Sequence, residues 1–368
     1  MFNIIRCILP LIFSYFISSC IDNDKSKNIN KSFLPNASGE NSEMLIVMDS
    51  SSFKSDIGRL LVDTYGSFVS GLPQPERQFD LRYVKPRGFN SILKHAKNIV
   101  IVFTLDGRGL DSEILRKNFN EESLKRIEND TSLYYFTKRD QYANGQIILY
   151  LFGKTEKLLL KKIKRNKKLI LRYFEDEVKK RTFRKIFNKK EENIALKILE
   201  DHKIKIEIPY GYDLAKNFPN YQGNFFWLRQ IEPDLEKNIF VYYEDFNENN
   251  LKDFTSVFDK EERSIVDLRN KISKRYLTDS ENNDIYMKIQ EIFPVEYKEI
   301  VFKNHSGVEA KGLWKLSNIS AGGPFRSLVI YDQIKNRAYY IEGYVFAPGQ
   351  KKRDLMYEIN SILNTFEM

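Results

Sequence analysis

The chain has 368 residues, with 59 Lys and Arg against 50 Asp and Glu, for a net charge of +9. Hydrophobic residues make up 42% and charged residues 30%, which permits a buried core and excludes wholesale disorder. Two Cys and three His leave almost no room for thiolate zinc sites or a disulfide scaffold, and 21 Tyr and 27 Phe favour sheet-rich packing.

In Met1–Cys20, a single positive charge, Arg6, precedes an apolar run from Cys7 to Ile17. That run is shorter than the roughly twenty residues a bilayer-spanning helix needs, and it fits the apolar region of a secretory signal peptide. The run ends in Ile17-Ser18-Ser19-Cys20, which resembles the bacterial lipobox. The resemblance implies cleavage before Cys20 and acylation of Cys20 with palmitate-type chains. Several chains exceed what stable anchoring needs, at about 0.8 kcal/mol per buried methylene. Residues 1–19 are then a lipoprotein signal peptide, and 20–42 a disordered tether rich in Asn, Ser, Lys and Asp. Asp22 and Asp24 resemble the acidic surface-export signal of Bacteroidota lipoproteins.

The folded part is expected in two units, 43–201 and 202–368. Met44–Asp49 reads as a buried strand, and Ser51 or Ser52 opens a helix to about Phe68. Phe79–Val84 alternates like an edge strand, Phe89–Ala96 makes a short helix, and Asn98–Leu105 is the strongest strand in the chain. A polar helix follows over 112–129, then strands over 133–137 and 146–152. From Lys154 to His202 the period turns helical, with a bend near Thr182 and Leu159, Ile163, Ile170 and Phe174 on the inner face. The second unit reads mostly as β. Strands are expected over 204–208, 225–231, 238–244, 296–302, 307–316, 326–332 and 338–346. Helices are expected over 261–276, 284–293 and 351–366. The fold class is α+β: an α/β-like first half, then an antiparallel sheet with a covering C-terminal helix.

The segments EMLIVMDS, GLPQPE, FNSILKHAKNIVIV, GQIILYLFGKTE, IPYGYDLAKN and ILNTF, in this order, resemble an uncharacterised family of Bacteroidota lipoproteins. That resemblance spans the chain from Glu43 onward. It implies an envelope lipoprotein, on the outer membrane, and no catalytic residue is carried over from it. IKIEIPYGYDLA, the following strands and the final helix are similar in layout to the PsbP/Mog-type sandwich.

The loudest charge feature is Lys154–Lys190, with 16 Lys and Arg against 4 Asp and Glu, so the rest of the chain is net negative. Lys161, Lys164, Arg165, Lys168 and Arg172 fall off its apolar stripe and are the candidate surface for anionic lipid, anionic glycan or another envelope partner. A merely solvated helix face is the plainer reading, and the envelope address disfavours nucleic acid. His95, His202 and His305 lie far apart with no metal-ligand spacing, so no metal, cofactor or catalytic residue is expected. Asp106–Gly109, after the strongest strand, is a minor ligand-loop candidate, and Trp227 and Trp314 read as sheet residues. The sequence therefore favours a lipid-anchored, non-enzymatic binding or assembly protein. The alternatives are a carboxylate-dependent hydrolase and a small-ligand carrier.

Overall fold

The computed structural model describes residues 33–368 except 221–222, 246–250, 260–262, 279–281, 283 and 319–320, and the side chains of 251–253. The expected signal peptide, Cys20 and the tether up to residue 32 lie outside the described residues. The fold is α+β, with one sheet in each half.

The first sheet comprises β1 (Glu43–Met48), β2 (Asp80–Val84), β3 (Asn98–Thr104), β4 (Tyr135–Arg139) and β5 (Ile147–Gly153). Their order is β2-β1-β3-β5-β4, parallel except for β4. Every residue of β3 and β5 is buried, because helices cover both faces of this parallel sheet. Alternate side chains serve two cores. Met44, Ile46, Val100 and Leu149 pack under α2 (Asp56–Tyr65), α6 (Glu156–Arg165) and α7 (Lys167–Ile186). Leu45, Ile99, Ile101 and Ile148 pack under α4 (Leu110–Arg116) and α5 (Glu121–Asn129).

The second sheet is antiparallel, in the order β10-β11-β12-β13-β8-β7-β6, with β9 also on β11. Its strands are β6 (Asp213–Phe218), β7 (Phe225–Glu232), β8 (Leu235–Asp245), β9 (Met287–Ile289), β10 (Glu296–Phe302), β11 (His305–Leu316), β12 (Gly322–Asp332) and β13 (Arg337–Phe346). One face carries α8 (Glu192–His202), the segment 204–208 and α11 (Arg353–Leu363). The other carries α9 (Leu251–Phe258) and α10 (Ser264–Tyr276), where Arg269 is buried against Glu342 of β13 at 2.7 Å.

Several expectations are corrected. The tether does not run to residue 42: Asn144 N–H donates to the Pro35 carbonyl at 2.7 Å, and Ser38 N–H donates to the His95 carbonyl at 2.8 Å. Asn41 reaches the Thr182 hydroxyl at 3.0 Å and accepts from Arg181 at 3.1 Å. The helix expected over 51–68 is two, α1 (Ser50–Lys54) and α2, because Asp49 caps the first and Ser55 the second. Asn120 splits the 112–129 helix in the same way, capping α5 through Ser123 N–H at 2.8 Å. Helix α7 passes straight through Thr182, and the breaks fall at Asn166 and after Ile186.

Residues 204–208 do place Ile204, Ile206 and Ile208 inward, but their backbone makes one bridge, Lys205 to Glu367, and joins no sheet. The helix expected over 284–293 is instead β9, in which Met287 and Ile289 are buried at a period of two. Strand β6 and helix α9 were not expected. Helix α8 buries Ile198 in the second core, so by packing the halves part just after α7 and not at 201–202.

Candidate functional site

The structure places the sequence candidates on the exposed face of α6 and α7. Thr155 caps α6 by accepting from Leu158 N–H at 3.3 Å, and the helix turns its apolar stripe inward. Leu159, Ile163, Ile170 and Phe174 are buried. Lys161, Lys164, Arg165, Lys168 and Arg172 are all exposed. Residues 157–172 contain eight Lys and Arg and no Asp or Glu. Among the described residues, none of the five candidates forms an ion pair. Leu158 and Leu169 on the same helices are also exposed, and Lys162 lies over the Tyr134 ring at 6.0 Å from its centroid.

A second feature escaped sequence reasoning. The loop between α2 and β2 carries Gly71-Leu72-Pro73-Gln74-Pro75-Glu76, and Glu76 leaves its own half to cap α11. Its two carboxylate oxygens accept from Lys352 N–H at 2.6 Å and Arg353 N–H at 3.0 Å. No side chain of α11 itself caps that helix. Arg353 answers by donating to the Arg77 carbonyl at 2.6 Å and to Asp80 at 3.3 Å. Gln78 donates to the Tyr357 hydroxyl at 2.8 Å and to Glu175 at 3.0 Å. Met356, Ile359, Ile362 and Leu363 of α11 serve the second core, whereas Tyr357 packs against the first. Burial pushes the Tyr357 hydroxyl well up from its ordinary value, against the lowering pull of Arg353.

Beside this latch lies a cleft of about 790 Å³. It is walled by α7, the 68–72 loop, β10–β12 and α11. Seven cations line it (Lys179, Lys180, Arg184, Lys298, Lys311, Arg326 and Arg353) against two carboxylates, Glu175 and Glu309. Burial alone would raise the Glu309 carboxyl. Arg326 at 2.5 Å and Lys311 at 3.5 Å outweigh that and hold it below the usual carboxylate value. Both carboxylates are thus engaged by donors. The cleft lies between the halves.

The remaining candidates are structural. Asn217 points its amide N–H at Asp201, 2.6 Å away, which turns its carbonyl oxygen toward His202 Nε2, also at 2.6 Å. Nε2 therefore carries the proton, and Nδ1 accepts from the Tyr243 hydroxyl at 3.1 Å. Burial pushes the His202 imidazole below its ordinary value, against the raising pull of Asn217 and Asp201. His95 ends the short helix α3 (Ser91–Lys94), and His305 stands 4.0 Å from Asp332. Asp106 accepts from Glu156 N–H at 3.2 Å, and Arg116 donates to the Gly107 carbonyl at 2.5 Å, so that loop is held by internal contacts. Trp314 is buried and donates to the Val345 carbonyl at 3.3 Å, while Trp227 donates to Asn238 at 3.1 Å. Among the described residues, no three His, Cys, Asp or Glu side chains gather to hold a metal, and no helix is long and apolar enough to cross a membrane.

Two family models match the chain. Residues 37–187 match Domain of unknown function (DUF8532), and residues 190–365 match Domain of unknown function (DUF4837). They meet where the packing divides the halves. No curated protein matches the chain. Among solved structures, a Bacteroides thetaiotaomicron protein is similar at 10% identity and a TM-score of 0.25, over 45% of this chain and 44% of its own. The Ran-binding protein Mog1p of Saccharomyces cerevisiae is similar at 11% identity and a TM-score of 0.27, over 45% of this chain and 89% of its own. A point mutant of the protein Mog1 gives 11% identity and a TM-score of 0.26 over the same shares. The chain thus spans less than half the length of the Bacteroides protein it matches.

Proposed function

We propose that the chain is a lipid-anchored cell-envelope protein that binds a partner or serves assembly at an anionic membrane surface, with no catalytic step of its own. Acyl chains on Cys20 hold it to the outer membrane, and the α6–α7 face meets the headgroups. The observation that supports this reading is the run of eight cations without an acid over residues 157–172. Its five candidate side chains are exposed and carry no carboxylate partner among the described residues. Each basic residue near an anionic leaflet contributes about 1 kcal/mol, and the acyl chains keep that weak contact from dissociating.

Two measurements test this. Metabolic labelling with a fatty-acid analogue should mark the wild type and leave Cys20→Ala unlabelled. The polypeptide from residue 20 onward, made without lipid, should bind phosphatidylglycerol vesicles at low salt and release them as salt rises. Changing Lys161, Lys164, Lys168 and Arg172 together to Glu should weaken that binding by about a thousandfold or more, at roughly 1 kcal/mol per charge. Vesicles ignored by the wild-type polypeptide at low salt would sink the membrane contact.

A further inference from the structure

We propose that the cleft between the halves is a binding site for an organic anion: a molecule with an apolar body and one or more phosphate or carboxylate groups. This site is separate from the α6–α7 face and does not depend on the anchor.

The charges in the cleft divide into two sets. Arg326 and Lys311 are matched by Glu309, Arg353 by Asp354 and Asp80, and Lys179 stands 3.8 Å from Asp176. Lys180 and Arg184 of α7 and Lys298 of β10 also line the cleft, and among the described residues none of the three has a carboxylate at ion-pair distance. They come from opposite halves and face one concavity. Like charges so arranged raise a positive potential between low-dielectric walls, which an anion relieves and a neutral ligand does not. A purely electrostatic surface would not need aromatic walls, yet Phe183 is 40% exposed and Phe68 is 61% exposed at the same cleft. Phe183 leans on Phe187 with ring centroids 4.5 Å apart, so its free face is presented by packing. Exposed rings beside unmatched cations suit an occupant that is apolar at one end and anionic at the other. The volume of about 790 Å³ falls within the roughly 300–1,000 Å³ typical of small-molecule sites.

The test uses the whole chain in a non-ionic detergent and three naphthalene probes: 1-naphthyl phosphate, 1-naphthoate and uncharged 1-naphthol. Titration calorimetry against a detergent blank measures affinity. Reductive methylation read by mass spectrometry measures protection of Lys180 and Lys298 in the unaltered protein. We expect saturable binding of at least one anionic probe, protection of both lysines by that probe, and weaker binding of naphthol. Preference between phosphate and carboxylate assigns the anionic group. Lys180→Glu with Arg184→Glu should weaken anion binding about a hundredfold, at roughly tenfold per reversed charge. Lys161→Glu with Lys164→Glu should leave it within about twofold, since those charges lie outside the cleft and are screened. The proposal is overturned if naphthol binds as well as the anions, if neither anion binds, if binding leaves Lys180 and Lys298 unprotected, or if both double variants weaken binding equally.

Discussion

Replacing Glu76 with Ala should uncouple the C-terminal helix from the first half. Glu76 is 7% exposed and gives both carboxylate oxygens to the first backbone N–H groups of α11, at 2.6 and 3.0 Å. Losing an N-cap side chain costs about 1–2 kcal/mol. The carboxylate charge at a partly buried helix N-terminus adds up to about 2 kcal/mol. Lys352 and Arg353 are 5% and 3% exposed, so water replaces the lost acceptor poorly. The sum is about 1–4 kcal/mol for Glu76→Ala, and roughly half that for Glu76→Gln, which keeps one acceptor and the shape. Urea unfolding measures the total. Hydrogen exchange locates it, because amides of residues 353–363 should exchange faster while those of β3 and β5 keep their protection. If Glu76→Ala unfolds within about 0.5 kcal/mol of wild type, or exchange in α11 is unchanged, the cap does not carry the junction.

Arg269→Met should cost about 3–5 kcal/mol in urea unfolding, because Glu342 would be left charged and buried; Arg269→Met with Glu342→Leu should cost less than the single change. His202 is depressed below its ordinary value of 6.5, so the unfolded chain binds its proton more readily. Its contribution to stability is therefore complete above about pH 6.5 and is lost as pH falls from there through the lowered folded-state value. His202→Gln should flatten the unfolding midpoint over that window, and an unchanged pH profile would refute the assignment. Asn41→Ala should loosen the 34–42 segment from α7, and a protease should then cut there faster than in wild type, with the remainder of the chain intact.

Local signals were legible in the sequence and non-local ones were not. The runs Asn98–Thr104 and Ile147–Gly153 announce themselves because a parallel strand covered on both faces has no polar side to keep. The α6–α7 face was legible for a related reason: one helical period sorts Ile163 inward and Lys164 outward. Helix breaks at Ser55 and Asn120 were missed because a capping residue reads as an ordinary polar position until its N–H partner is known. Strand β6 was missed because Asp213–Phe218 pairs through its backbone and buries no residue fully. The cleft was invisible because its wall joins residues 68–72, 175–184, 298–326 and 353–365. The segment GLPQPE stands out in the sequence, but nothing local to it says that its acid serves a helix 276 residues away.

That separation also sets a timetable for the growing chain. Synthesis at about 5–20 residues per second puts α11 within reach roughly 15–55 s after Glu76 emerges. Within that interval the first half can close its own sheet, because β1, β2, β3, β4 and β5 all end by Gly153. It must wait, however, with a buried-type carboxylate and the Gln78 amide facing water. The β12–β13–β8 face, made next, already has α8 and residues 204–208 to pack on it, but part of its apolar surface stays uncovered until Met356, Ile359 and Ile362 arrive. Closure of the molecule is thus a late event, performed by one helix for both halves. A chain stopped before residue 353 would carry the strands of both sheets, one of them partly open on a sticky face, and would lack the α11 wall of the cleft.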